Sequence, residues 1–265
     1  MYHVGIDLHG TLITDHPEEV PARVLPKLLA VMRGLSGRVR LYACTGNDLG
    51  FLERKLPGEV MGLLDGAVLE TGCVVSDIRT ETVLVDEAVV VRTKDIESAL
   101  RERGFGWVYK FARRLATVSL FTRMGLRAAD YASEVAAEVK ALGHGEAFEV
   151  TYSSVAVDVI PRGFNKLSGL RQLAGDEPVV GIADSMNDFE LVSGADISFL
   201  PGNASPELLR RLKETGKRVQ SIGEASGLSA GQAERHSDVA IVCDEHFTDA
   251  VCQALDFLGR DLQAD

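Results

Sequence analysis

Long apolar runs are missing from this sequence: no stretch approaches the roughly 18 consecutive apolar residues that a membrane-spanning helix needs. An excess of positive charge is missing too. With 28 Lys and Arg against 39 Asp and Glu, the formal net charge is −11, which argues against a surface built for nucleic acid or anionic lipid. A phosphate site would need cations gathered locally. Cysteine is scarce: Cys44, Cys73, Cys243 and Cys252 are scattered with no CxxC spacing in a chain of 265 residues, so neither a disulfide framework nor a zinc site is expected. The start of the chain has no charged leader before an apolar run, and no internal repeat or low-complexity tract is present. The expectation is a soluble cytoplasmic protein with reduced thiols, long enough for one large or two modest domains.

What is present is an alternation of two patterns. Short apolar runs at Val4 to Ile6, Val39 to Cys44 and Val179 to Ala183 each stop at polar or glycine residues, as buried parallel strands do when helices cover both faces of their sheet. Helical spacing follows at Val24 to Met32, Leu49 to Leu56, Leu167 to Leu173 and Leu208 to Leu212. The last is opened by Ser205, Pro206 and Glu207, which supply an N-cap, a first-position proline and a first-turn acid. This alternation predicts a doubly wound α/β sheet.

From residue 82 to residue 160 the texture changes. Thr117 to Thr122, Phe148 to Tyr152 and Val155 to Val159 alternate with period two, which suits an antiparallel sheet with one solvated face. The last two predict a hairpin, and helices are expected at Asp95 to Arg103 and Ala128 to Leu142. The expected organisation is a core at 1–81 and 161–265 with a smaller α+β domain, 82–160, inserted into it. Ser221 to Ser237, rich in Gly, Ser and Ala, is expected as a loop with one short helix.

Polar residues gather where the expected strands end: Asp7-Leu8-His9-Gly10-Thr11, Thr45-Gly46-Asn47, and Ala183-Asp184-Ser185-Met186-Asn187-Asp188, with Asn165-Lys166 opening a helix. Open parallel sheets bind ligands beyond the carboxyl ends of their strands, so these segments can converge. Singly, each reads as an ordinary strand exit, cap or helix start. In this order, however, they resemble the motifs of the haloacid dehalogenase-type phosphohydrolases. The branch resembled is that of the sugar phosphatases, such as sucrose-phosphate and mannosyl-phosphoglycerate phosphatases, whose C2-type cap is inserted between the second and third motifs.

That resemblance implies a Rossmann-like doubly wound sheet with an inserted smaller α+β cap. It implies Asp7 as a nucleophile forming an aspartyl-phosphate, apt because an acyl phosphate is labile. Thr45 would hydrogen-bond a phosphoryl oxygen, Lys166 would offset negative charge, and backbone N–H groups at Leu8 to Gly10 and at Gly46 would cradle the remaining oxygens. Mg²⁺, which favours a few hard carboxylate oxygens, would be held by Asp7, Asp184, Asp188 and the backbone carbonyl of His9. Thr11 and Asn187 would support these loops.

His9 stands where the resembled phosphatases carry a second Asp, which protonates the leaving oxygen. Imidazole, with a free pKa of about 6.5, suits that work. His9 is expected either as a substitute acid/base or as the mark of an impaired or repurposed site. Asn47 stands where a basic residue is frequent, and Thr71 where Asn often precedes the glycine. The stretch Lys110 to Arg114, with Arg123, Tyr109 and Tyr152, is either a substrate-facing set or a solvated face. Three functions stay open: a phosphatase for a small phosphorylated metabolite of sugar or polyol type, a catalytically weak phosphate-ligand binding or regulatory protein, and a phosphomutase.

Overall fold

A computed structural model describes residues 1–78, 82–153, 155–225 and 238–261. The three apolar runs become adjacent strands. β1 (Tyr2–Asp7) pairs in parallel with β2 (Val39–Cys44) on one side and with β10 (Val179–Ile182) on the other. Six more strands complete the sheet: β3 (Gly66–Leu69), β4 (Val74–Asp77), β5 (Thr82–Val85), β11 (Ile197–Leu200), β12 (Arg218–Ser221) and β13 (Val239–Val242). Their order is β12-β13-β11-β10-β1-β2-β3-β4-β5. Pairing is parallel throughout except where β4 meets β3 and β5.

Helices fill both faces, as a doubly wound α/β sheet requires. On one face α1 (Leu25–Leu35) and α10 (Phe247–Asp261) bury Leu28, Met32, Leu35, Val251 and Leu255 against Val4, Ile6 and Phe199. On the other, α6 (Lys166–Ala174), α7 (Phe189–Gly194) and α8 (Pro206–Glu214) bury Leu170, Leu191, Leu208 and Leu212 against Val68, Val179 and Leu200. The expected cap of α8 is present: Ser205 Oγ accepts from Leu208 N at 3.2 Å. The shorter helices are α2 (Leu49–Lys55), α3 (Gly58–Met61) and α9 (Ile222–Ala225). Of the segment expected as a loop with a short helix, 221–225 ends β12 and forms α9, and 226–237 lies outside the described residues.

A second, antiparallel sheet is made by β6 (Val108–Phe111), β7 (Val118–Thr122), β8 (Phe148–Tyr152) and β9 (Ala156–Pro161), in the order β6-β7-β9-β8. The expected hairpin is β8–β9. α4 (Glu87–Arg103) and α5 (Ala132–Ala141) supply Ile96, Leu100, Val135 and Val139 to a separate core with Val118, Leu120, Val157 and Val159. The opposite face carries Ser119 beside Asp158. It is not solvated along β7 as the alternation suggested, since Thr117 and Ser119 are buried.

Two boundaries differ from expectation. Thr82–Val85, expected to open the inserted unit, extends the large sheet instead. Its Val83 and Leu84 are exposed on an edge strand, and a half-solvated edge strand has the texture of the second sheet. α4 begins at Glu87, eight residues before the expected start, because the Asp86 carboxylate accepts from Ala88 N and Val89 N and caps it there. Its first turns bury no residue fully, with Val89 and Val90 half-buried and Val91 exposed, so periodicity marks them only weakly. All four cysteines are buried and free. Among the described residues, no helix is long and apolar enough to cross a membrane.

Candidate active site

From β1 the chain proceeds to β2 on one side, and from β10 to β11 on the other. The carboxyl ends of β1 and β10 therefore flank the point where the winding reverses, the crevice in which such sheets bind ligands. Asp7 is the last residue of β1, and Asp184 lies two residues past β10. After Asp7 the chain turns back at once: Leu12 N donates to Asp7 O at 3.1 Å and Ile13 N to Leu8 O at 2.8 Å. Gly10 sits in this turn at φ +75°, and a Cβ there would run into the Asp184 carboxylate, so glycine is required for both conformation and space. Thr11 Oγ1 donates to Asp184 Oδ1 at 3.2 Å.

Lys166 and Asp188 arrive from two other elements. Lys166 is the first residue of α6, whose start is fixed by a capping box: Asn165 Oδ1 accepts from Ser168 N at 2.9 Å, and Ser168 Oγ accepts from Asn165 N at 3.0 Å. From there Lys166 Nζ donates to Asp7 Oδ1 at 2.5 Å and pairs with Asp188 Oδ1. Asp188 is turned inward by the short 3₁₀ turn Met186–Asp188, with its N donating to Ser185 O and with Ser185 Oγ donating to Asp188 Oδ2 at 3.2 Å. Asn187 was expected to hold this loop. It is exposed and its side chain has no partner among the described residues; the tight turn directs it outward, and Ser185 does the holding.

Three carboxylates and one ammonium thus share a pocket, with Asp7, Lys166 and Asp188 all under 8% exposed. Burial pushes the Asp7 carboxyl up, against the pull of Lys166. Burial and the neighbouring carboxylates push Asp184 and Asp188 up to about 6. Burial alone would lower the Lys166 ammonium, but Asp188 and Asp7 outweigh it and hold it above its ordinary value. One cation against three carboxylates leaves an uncompensated negative charge.

Thr45 lies just past β2, its N donating to Val68 O at 2.8 Å. Its Oγ1 accepts from Asn47 N at 3.2 Å and from Asn47 Nδ2 at 3.4 Å, and Gly46 is exposed beside it. Leu8 is fully buried, so only its backbone can serve a ligand. His9 is half-buried against Phe51, ring centroids 5.4 Å apart, with Nε2 3.7 Å from Glu18 Oε1. Burial holds its imidazole below 6.5; Glu18 opposes this and Lys166 adds to it. His3, by contrast, is buried near the amino end of the central strand β1, between Glu177 and Tyr42.

Residues that pattern reading missed complete the surroundings. Glu18 pairs with both His9 and Lys55. Asn203 donates to Gly10 O at 2.8 Å and accepts from Phe247 N, tying the turn after β1 to the start of α10. Glu70 is buried at φ +48°, and its carboxylate accepts from Leu115 N, Ala116 N, Thr117 N and Thr117 Oγ1 at 2.8 to 3.1 Å. No periodicity marks such residues, because their partners, the side chains of His9 and Lys55 for Glu18 and mainly distant backbone groups for Asn203 and Glu70, follow no repeat along the chain. Glu70→Ala would strand the buried N–H groups of Ala116 and Thr117, each costing about 1–3 kcal/mol, and the part-buried one of Leu115. It is expected to lower unfolding free energy by about 3 kcal/mol or more in a urea melt; a loss under about 1 kcal/mol would mean that segment 115–117 is held by other contacts.

The pocket suits Mg²⁺ by its donor set. Asp7, Asp184 and Asp188 each offer an oxygen within 4.8 Å of the others, hard ligands are what that ion takes, and the unbalanced charge calls for a dication. Asp184 makes this testable. Its folded pKa is raised from 3.8 to about 6, so the native state binds its proton more tightly than the unfolded chain, and stability falls as pH rises through that window. In the metal-free protein at pH 7, Asp184→Ala is therefore expected not to lower the melting temperature, while the rise that Mg²⁺ gives the wild type disappears. Melts at pH 5 and 7 with and without Mg²⁺ check this, and a Mg²⁺-induced rise surviving in Asp184→Ala would move the metal elsewhere.

Comparison with known proteins bears on the fold. A family model described as haloacid dehalogenase-like hydrolase matches residues 112–223, less than half of the chain. No curated protein matches the sequence. Among solved structures, a Thermoplasma acidophilum protein superposes with a TM-score of 0.65 at 14% identity, covering 98% of this chain and 99% of that one. The sucrose-phosphatase of a Synechocystis species, in complex with sucrose and phosphate, superposes at 0.64 and 19% identity, covering 97% and 96%. A trehalose-6-phosphate phosphatase related protein does so at 0.60 and 16%, covering 99% and 100%. At these identities the likeness is one of fold. Over residues 112–223 the sequence is similar to the haloacid dehalogenase-like hydrolase family, and along nearly its whole length the chain is similar in fold to these solved structures.

Proposed function

We propose that this chain is a Mg²⁺-dependent phosphatase that passes the phosphoryl group of a small phosphorylated metabolite to Asp7 and then to water. The observation that carries the reading is the placement of Asp7: a buried carboxylate at the winding reversal, hydrogen-bonded to Lys166 beside two further carboxylates. Phosphate esters resist attack because their oxygens are anionic, so a site must position the nucleophile and neutralise charge. Asp7 attacks phosphorus in line, and the bond to the leaving oxygen breaks. Thr45 donates its hydroxyl to a phosphoryl oxygen, backbone N–H groups at Leu8 to Gly10 and Gly46 take others, and Lys166 balances Asp7 and the phosphate together. Asp7, Asp184, Asp188 and the His9 carbonyl would hold Mg²⁺, which supplies positive charge next to the phosphoryl oxygens.

His9 is the group assigned to the proton. With Nε2 turned to Glu18, Nδ1 is left to protonate the leaving oxygen and then to take a proton from the water that hydrolyses the aspartyl-phosphate. Residues 86–161, with the second sheet, form the proposed cap that closes over the site and excludes water. A sugar or polyol phosphate is the proposed substrate, supported by the fold shared with a sucrose-phosphatase; the proposed setting is the cytoplasm, where free thiols persist. A screen of phosphorylated metabolites with and without Mg²⁺ tests the reading, and absence of phosphate release from every ester, with inorganic phosphate still bound, would leave the binding-protein alternative.

A further inference from the structure

Thr45 is linked to the second sheet through two side chains, and the chemistry of that link has a fixed direction. Arg114, in the segment between β6 and β7, has a side chain only 6% exposed. Its Nη2 donates to Asn47 Oδ1 at 2.8 Å, and its Nη1 lies 3.4 Å from Asp48 Oδ2. Asn47 Nδ2 in turn donates to Thr45 Oγ1 at 3.4 Å, in parallel with the Asn47 backbone N at 3.2 Å.

A guanidinium has donors and no acceptor. The Asn47 amide must therefore turn its oxygen to Arg114, which turns its NH₂ to Thr45. The Thr45 oxygen then receives two N–H groups, and its own proton is not used in any contact among the described residues. A hydroxyl so placed is left as a donor.

The frame around this relay is rigid. Glu70 N donates to Asn47 O at 3.1 Å and Thr71 N to Thr45 O at 3.2 Å, while the Glu70 carboxylate grips residues 115–117, next to Arg114. Lys94 Nζ donates to Arg114 O at 3.1 Å. The arginine is retained although its buried Nε has no partner among the described residues, a cost that a purely space-filling side chain would avoid.

We infer that Arg114 and Asn47 are positioning residues that set the Thr45 hydroxyl as a donor to a phosphoryl oxygen, so that the phosphate grip depends on where the second sheet sits. Neither residue touches phosphate; both act through Thr45. Movement of residues 114–117 away from loop 45–48 frees the Asn47 amide to rotate, and Thr45 can then spend its proton on the amide oxygen. The inference rests on the phosphatase reading, in that a phosphate must bind beside Thr45.

The test uses the full chain with Mg²⁺ and inorganic phosphate as the probe, with Kd read by calorimetry and kcat and KM read on an aryl phosphate. Arg114→Ala and Asn47→Ala are each made in the wild type and in a Thr45→Val background. In the wild type each is expected to weaken phosphate binding about tenfold, the worth of one oriented hydrogen bond, with kcat falling alongside. In the Thr45→Val background, with no hydroxyl to orient, the same substitutions should change Kd by less than about twofold. Equal losses in both backgrounds would overturn the inference while leaving the phosphatase reading intact. A wild type that binds no phosphate would overturn both, and a Thr45→Val variant binding phosphate as the wild type does would remove Thr45 from the grip and the inference with it. Should Arg114→Ala fail to fold, Asn47→Ala, which removes no buried charge, carries the comparison alone.

Discussion

Asp7→Asn is expected to abolish turnover of every phosphate ester while leaving phosphate binding largely in place. The amide keeps the shape of the carboxylate, and Lys166 can still donate to its oxygen in place of the 2.5 Å contact to Asp7 Oδ1. What it loses is the nucleophile, so no acyl phosphate forms. The loss should reach the background of the assay, several orders of magnitude in kcat. Beryllium fluoride, a phosphoryl mimic, should add to Asp7 in the wild type and not in the variant. Removing a negative charge from a cluster of three carboxylates should leave the fold intact. Substantial phosphate release by a folded Asp7→Asn protein would transfer the chemistry to another residue.

His9→Ala carries the second large effect. A general acid or base contributes roughly two to four orders of magnitude, and turnover of an alkyl phosphate should fall by that much. An aryl phosphate, whose leaving oxygen needs little protonation, should lose less. The contrast matters because His9 has a second plausible life as a packing residue against Phe51, paired with Glu18. If it marks an impaired site, the wild type should be nearly inert and His9→Asp should raise activity. A wild type that turns over readily and is indifferent to His9→Ala would defeat both accounts. Steady-state rates on one alkyl and one aryl ester separate the three outcomes.

The sequence was most legible where a local rule acts alone. Buried parallel strands announce themselves as unbroken apolar runs, and β2 occupies the expected Val39–Cys44 without a residue's difference. The Ser205 cap was readable for the same reason. Asp7, Lys166, Asp184 and Asp188 were found because their segments come in a fixed order at strand ends and one helix start, and the fold brings them into one pocket. Asn187 misled because a side chain next to an inward-facing Asp in a tight turn points outward, and only the turn's dihedrals decide which of the two faces in. The roles of Glu70 and Arg114 were beyond reach for a different cause. Their roles lie in contacts to backbone and side chains some 45 and 67 residues away, and such pairings leave no period in the chain. The early start of α4 was hidden because capping by Asp86, followed by valines that are at most half-buried, sets its first turns.

The parallel order of the large sheet also sets a schedule. Asp7 lies at the end of the first strand, yet its ammonium partner is 159 positions further along and Asp184 comes later still. At about 5–20 residues per second of synthesis, the nucleophile waits roughly 10–35 s before the carboxylate that faces it exists. During that interval β1 has β2 on one side and an open edge on the other, because β10 has not been made. An unpaired apolar edge is a template for wrong pairings, and closing it requires a loop of well over a hundred residues, the slow kind of contact. The central position of β1, which places Asp7 in the crevice, thus leaves that side of the strand open until β10 has been made.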